Sequence, residues 1–241
     1  ALHTAARLGA QGVEIDARDE VFSQDLSQSA VRHLRKMLDD LNLRACAVAF
    51  QTRRGYNTDE GLDRRLAATM RAQRLAYELR APVVVNQIGT VPAEQDGDQW
   101  NLLVDSLTEL ARHGQHVGAL LAAETGSESG AQLRQLLDVI PGQAVVVDLN
   151  PAKLIVNGLS PQEAVEQLGG YVAHVHASDG VRDLARGRGV EVTLGRGSAE
   201  FPDLLGVLEN HQYRGFVTVE RQASENPQPE IAMAVEYLQR L

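Results

Sequence analysis

The amino-acid sequence predicts an α/β fold in which parallel strands alternate with covering helices. Two patterns predict it. Short apolar runs rich in β-branched residues recur along the 241 residues, and amphipathic stretches of helical period separate them. A third observation sets the domain count: no Pro, Gly or Ser segment is long enough to act as a linker, so residues 1–241 are expected to form a single domain.

The chain opens on a helical stretch at 1–8. Strand-like runs follow at 12–16, 43–50, 82–87, 118–125, 144–150, 171–178 and 216–221. Between them, Trp100, Leu103, Val104, Leu107, Leu110 and Ala111 share one helical face, as do Ile231, Ala234, Val235, Leu238 and Leu241. Ser160-Pro161-Gln162-Glu163 combines an N-cap serine, a proline at the first helical position and a glutamate at the third, so a helix is expected to start there. Seven strands with flanking helices fit an open doubly wound sheet or a TIM (β/α)8-type barrel with its first strand absent. The opening inside a helix, with the first visible strand at Gly12, favours the barrel.

Composition narrows the function classes. With 23 basic against 32 acidic residues the chain carries −9, which opposes long-range attraction to nucleic acid or an anionic membrane. No apolar run approaches the roughly 20 residues of a membrane helix. Cys46 is the one cysteine, which excludes an intramolecular disulfide and a cysteine-based zinc cluster. A reducing, cytoplasmic location is the expectation, since neither end carries an export signal. A small-molecule partner is expected, with neither nucleic acid nor membrane, and a homo-oligomer is compatible with the sequence.

The informative feature is what ends the strands. Four apolar runs lead into Glu124, Asp148, His176 and Glu220. In a parallel barrel the C-terminal strand ends converge on one mouth, which brings such distant positions within reach of one point. A single strand-end carboxylate is more often a helix cap or a solvated group, but four together change the balance. Three carboxylates gathered without a cation repel one another and resist ionisation, and a divalent metal resolves the conflict. Three oxygen donors and one imidazole suit Mn²⁺ or Mg²⁺, and Zn²⁺ or Co²⁺ are also compatible.

The ordered set Glu124, Asp148, His176 and Glu220, with His174-Val175-His176-Ala177-Ser178-Asp179-Gly180 and the closing Leu194-Gly195-Arg196-Gly197 to Phe201-Pro202, resembles the xylose isomerase-like TIM-barrel superfamily. The similarity is closest to its sugar-phosphate isomerase/epimerase branch. This resemblance implies one divalent metal held by Glu124, Asp148, His176 and Glu220. Glu124 and Glu220 would be the catalytic acid/base pair in a sugar or hydroxy-ketone isomerase or epimerase, transferring a proton through a metal-stabilised enediolate. It also implies a substrate-binding role for Arg182, six residues past His176. Arg186, Arg188 and Arg196, set among glycines, form a basic segment that could receive an anionic sugar, although a charged loop explains them somewhat better. His174 shares strand parity with His176 and is expected to point the same way, as a ligand-orienting or a core histidine. Glu14, at the end of the first visible strand, is a candidate for the mouth or for an ordinary salt bridge.

One departure from the family pattern stands out. Where many single-metal epimerases carry a substrate-orienting histidine shortly after the metal-binding aspartate, this chain reads Leu149-Asn150-Pro151-Ala152-Lys153. Asn150 or Lys153 could substitute, Lys153 suiting a negatively charged substrate, and the alternative is that both are ordinary loop residues. Three alternatives stay open. A metal-dependent dehydratase of the inosose or dehydroshikimate type shares the barrel and the first proton abstraction. An endonuclease IV-like abasic-site nuclease is weak, because the extra His and Asp ligands of that branch are missing. A barrel that binds sugar without turnover is the third.

Overall fold

A computed structural model describes residues 1–18, 27–183, 188–221 and 224–241. The chain clusters into two compact units, residues 1–123 with 137–146, and residues 124–136 with 147–241.

In the first unit α1 (Leu2–Arg7), β1 (Gly12–Asp16), α2 (Gln28–Asp40), β2 (Arg44–Ala49), α3 (Leu62–Leu79), β3 (Val83–Asn86), α4 (Asp98–Val117) and β4 (Leu120–Glu124, whose last residue belongs to the second unit) alternate as the apolar periodicity requires. The strands pair in parallel in the order β1-β2-β3-β4. All of β3 is buried, as expected of a parallel strand covered on both faces. Ile15, Val31, Leu38, Val48, Ala76 and Val84 form its core. On α4 most of the predicted face is inside: Trp100, Leu103, Leu107, Leu110 and Ala111 are buried, and Val104 is half-buried.

The second unit contains Glu124, most of α5 (Gly130–Val139), and then β5 (Val145–Leu149), whose first two residues belong to the first unit. There follow α6 (Pro151–Val156), α7 (Pro161–Leu168), β6 (Val172–Ala177), β7 (Asp179–Asp183), β8 (Arg188–Val192), α8 (Phe201–Asn210), β9 (Val217–Val219) and α9 (Pro227–Leu238). Strands β5, β6 and β9 are parallel neighbours. Leu149, Leu154, Val165, Val175, Phe201 and Leu204 lie at the centre of its core. Ser160 caps α7 as expected, its hydroxyl accepting from the Glu163 N–H at 3.3 Å with Pro161 in the first turn.

Two details differ from the reading of the sequence. The basic Gly-rich segment after His176 is not simply a loop: β7 and β8 form an antiparallel ladder, with Gly180 opposite Glu191 and Arg182 opposite Gly189. Gly189 is required there, because a Cβ on it would stand 2.4 Å from the Val181 carbonyl oxygen. The apolar face assigned to the C-terminal helix is shorter than expected. Helix α9 stops at Leu238, and Leu241, beyond it, is exposed.

A buried polar chain anchors the segment between β2 and α3. Asn86, at the end of β3, donates to the Tyr56 hydroxyl (2.7 Å), which lies 2.7 Å from the Thr69 hydroxyl, and Thr69 donates to the Arg65 carbonyl (2.9 Å). The other side of the Asn86 amide accepts from the Thr52 N–H at 3.0 Å. Burial pushes the Tyr56 phenol up to about 12, against the opposing hydrogen bond of Thr69, the charge of Arg65 and the hydrogen bond of Asn86. The folded state therefore holds this proton more tightly than the unfolded chain does. Its contribution is complete below pH 10 and is lost as pH rises towards 12. The unfolding free energy is expected to fall by about 2–3 kcal/mol across that window. Urea unfolding at a series of pH values checks this. The Tyr56→Phe variant should lack that slope and be about 1–3 kcal/mol less stable at neutral pH, where the Asn86 donor loses its partner.

Candidate active site

The register of three neighbouring strands builds the site. His174 and His176 are two residues apart on β6 and so face the same side. Asp148 on β5 sits opposite His174, just after a register shift between Val147 and Asp148; such bulges turn a side chain toward a site. Its carboxylate accepts from both rings, Oδ1 from His174 Nδ1 at 2.7 Å and Oδ2 from His176 Nδ1 at 2.8 Å. All three side chains are at most 2% exposed. Burial alone would raise the proton affinity of Asp148. The charge of His176 and the hydrogen bonds of both imidazoles outweigh it and hold the carboxyl well below the usual carboxylate range. His174 is committed at both ends, since its Nε2 lies 2.8 Å from the Thr218 hydroxyl of β9. The ring thus ties Asp148 to the third strand and fixes its orientation.

Glu124 ends β4 and is 5% exposed. Its Oε1 accepts from Asn150 Nδ2 at 2.9 Å and pairs with Lys153 Nζ at 2.6 Å. Burial first, then the negative charge of Asp148, raises the proton affinity of Glu124, with Lys153 and His176 opposing. The Asn-Pro pair that stands where a histidine was expected is a helix start. Asn150 caps α6, its Oδ1 accepting from the Lys153 N–H (3.2 Å) and from the Ser178 hydroxyl (2.7 Å). The same amide spends a donor on Glu124, and the cap places Lys153 in the first turn, within reach of the same carboxylate.

Glu124, Asp148 and His176 each offer a ligand atom, and the three atoms lie within 4.8 Å of one another. The 2.8 Å separation of His176 Nδ1 and Asp148 Oδ2 suits a hydrogen bond. It also suits adjacent ligands of one ion with bonds near 2.0–2.1 Å, roughly 2.9 Å apart. A cation would further relieve the repulsion that raises Glu124, so the donor set fits a divalent metal on both geometry and charge. Glu220, the fourth expected ligand, stands off: its Oε2 is 3.9 Å from His176 Nε2 and its side chain is 32% exposed.

The remaining predicted residues are more dispersed. Arg182 is exposed on β7, with its guanidinium against Gly158, where a Cβ would stand 3.2 Å from Nη2. Glu14 is half-buried on β1 of the first unit. Arg186 and the side chain of Arg188 lie outside the described residues, and Arg196 is exposed in the turn after β8.

The motif around Leu194-Gly195-Arg196-Gly197 has a structural cause. The buried Asp179 carboxylate accepts four backbone N–H bonds, from Gly180 (2.8 Å) and Ala199 (3.0 Å) on Oδ1 and from Gly195 (3.0 Å) and Gly197 (2.8 Å) on Oδ2. Gly195 has φ +79°, and a Cβ on Gly197 would stand 2.2 Å from Asp179 Oδ1, so both positions need glycine. The aspartate clasps the segment leading to α8, three residues beyond His176.

A family model described as xylose isomerase-like TIM barrel matches residues 2–241. The chain belongs to this family. Its α/β fold is therefore the TIM-barrel class expected from the strand and helix alternation. Among curated relatives, the inosose dehydratase of Bacillus thuringiensis (strain Al Hakam) is 22% identical over 234 residues, covering 85% of this chain and 76% of the relative. Among solved structures, a xylose isomerase domain protein from Planctomyces limnophilus superposes with a TM-score of 0.89 at 23% identity, covering 100% of this chain and 90% of the other. A xylose isomerase-like TIM barrel protein from Mycobacterium smegmatis, in complex with magnesium, superposes with a TM-score of 0.78 at 20% identity, covering 99% and 86%. No helix among the described residues is long and apolar enough to cross a membrane.

Three residues beside this cluster escape sequence reasoning. Thr218, inside a Val-Thr-Val strand, reads as ordinary β-propensity, yet it holds His174. Ser178 and Thr125 fix Asn150, through its Oδ1 and its backbone N–H respectively. Glu128, four positions past Glu124, is 6% exposed; its Oε1 has no hydrogen-bond partner among the described residues, and burial raises its proton affinity.

Proposed function

We propose that this protein is a divalent-metal-dependent enzyme that removes the proton beside the carbonyl of a polyhydroxylated ketone, with loss of water as the outcome. The observation that carries the reading is the placement of Lys153 Nζ 2.6 Å from Glu124 Oε1, beside the cluster formed by Glu124, Asp148 and His176. Those three residues, with Glu220, would hold the ion, of which Mg²⁺ or Mn²⁺ suits the oxygen-rich set. When bound, the ion supplies Lewis-acid polarisation of a carbonyl oxygen. Glu124 is the base: burial and Asp148 raise its proton affinity toward the range in which a carboxylate can accept a carbon-bound proton. Lys153 carries three N–H donors on a partly exposed stem, so it can deliver a proton to a hydroxyl leaving from the neighbouring carbon. His174 and Asn150 act as positioning residues, the first on Asp148 and the second on Glu124. The inosose dehydratase relatives and the magnesium complex of the Mycobacterium smegmatis protein support this reading.

A second reading, epimerisation, draws on Glu220. A carboxylate at the end of β9, 3.9 Å from His176, would return the proton to the opposite face of the same carbon. Incubating the protein with Mn²⁺, D₂O and a panel of inososes and ketoses separates the two. Dehydration yields a product lighter by one water, whereas epimerisation yields an isomer carrying one solvent deuteron. Substrates recovered with neither exchange, isomer nor water loss would refute proton abstraction in both forms.

A further inference from the structure

The first unit holds a cavity of about 530 Å³ whose lining is unlike the rest of this acidic chain. Among the described residues, Arg18, Arg53, Arg54, Arg64 and Arg65 line it against a single carboxylate, Glu60. That carboxylate is committed to the Arg54 guanidinium. Arg18 is turned onto the Gln51 carbonyl, and Arg65 onto the carbonyls of Thr58 and Glu60. The buried Nε of Arg65 has no hydrogen-bond partner among the described residues, and Arg53 and Arg64 make no ion pair among them. The start of α3 adds to the positive field. Its N-cap is Gly61, which provides no side-chain cap, and Gly61 and Arg64 both line the cavity.

We propose that this cavity is a binding site for a phosphate-type oxyanion carried by a small molecule. Among the described residues, five guanidiniums offset by one carboxylate give the lining an excess of positive charge, and planar N–H forks match the oxygen geometry of a phosphate. The volume suits a small metabolite more than a lone ion. The cavity is also pre-built. Arg65 pins the 58–60 segment to α3, and Asn86 pins Thr52 and Tyr56 to the end of β3, so little ordering is left for the ligand to induce. The net charge of −9 argues against polyanionic nucleic acid and leaves a small anion as the fitting occupant.

The site belongs to a different set of residues from the candidate metal centre, so the test uses metal-stripped protein in EDTA and is independent of the proposed reaction. Calorimetric titration with inorganic phosphate and with glucose 6-phosphate, and with glucose as control, is expected to give one saturable site per chain for the phosphorylated probe, with Kd below about 1 mM. Glucose should not bind. Equal affinity for inorganic phosphate would identify a free-anion site, and tighter binding of the sugar phosphate a phosphometabolite site. The Arg53→Ala/Arg64→Ala double variant should weaken binding at least tenfold while keeping the wild-type unfolding midpoint, because neither residue makes an ion pair among the described residues. Arg53→Lys/Arg64→Lys should fall between, keeping charge but losing the fork. Absence of saturable binding for both phosphate probes, or affinity unchanged in a folded double-alanine variant, would overturn the proposal.

Discussion

Replacement of Glu124 by glutamine is expected to reduce turnover about a thousandfold at saturating metal while leaving the protein folded and slightly more stable at neutral pH. The loss follows from the role of the carboxylate: glutamine keeps the shape and accepts the Asn150 hydrogen bond but cannot take up a proton. The gain follows from linkage. Burial and the neighbouring Asp148 charge raise the proton affinity of Glu124 in the folded state. Its contribution to stability is present in acid and is lost as pH rises from the ordinary carboxylate value through the raised one, so this carboxyl burdens the fold at neutral pH relative to acid. Glutamine removes that burden, and Lys153, partly exposed, regains water in place of its partner. Thermal melts beside initial rates check both halves. A variant that melts lower and turns over normally would contradict the assignment of Glu124 as base.

The opposite sign is expected at Asp148. Here the folded state favours the charged form, held by two imidazoles in a fully buried position. Asparagine offers one acceptor and one donor, so one of the two histidines meets an N–H where it had an oxygen, and the charge that organised both is gone. The Asp148→Asn variant should lose about 3 kcal/mol at neutral pH. The difference from wild type should persist until pH falls below the ordinary aspartate range, because this contribution is lost only as pH drops through the depressed folded value. Metal affinity should fall by at least a hundredfold. Urea unfolding at several pH values and metal titration of the refolded variant measure the two effects, and a variant as stable as wild type at pH 7 would show that the triad does not share a proton network.

The contrast between these carboxylates shows how far sequence reading reaches. Glu124, Asp148 and His176 are legible because each closes an apolar run, and parallel strands carry such positions to the same end of the sheet. What separates their roles was not legible. Asp148 is stabilised as an anion by histidines on the next strand, and Glu124 is destabilised as one by burial; both facts depend on cross-strand register, including the shift at Val147. Glu220 ends its run in the same way, yet it stays half outside, so the pattern alone overstated its approach. The sequence shows the charge of Lys153, but its contact with Glu124 arises from the Asn150 cap that starts α6. The β7–β8 hairpin was hidden because Gly and Arg composition reads as loop, whereas its glycines serve close backbone contact. The basic cavity was hidden for a different reason: its arginines come from three separate segments, and only the fold brings Arg18, Arg53, Arg54, Arg64 and Arg65 together.

The most direct test of the site is a count of metal ions. Protein stripped with chelator, reloaded with Mn²⁺ or Mg²⁺ and titrated by calorimetry should bind one ion per chain, with His176 Nδ1 exchanging its hydrogen bond to Asp148 for the ion. A chain that binds no ion at millimolar metal, or that binds it equally well after Asp148→Asn, would contradict the reading of Glu124, Asp148 and His176 as a metal centre.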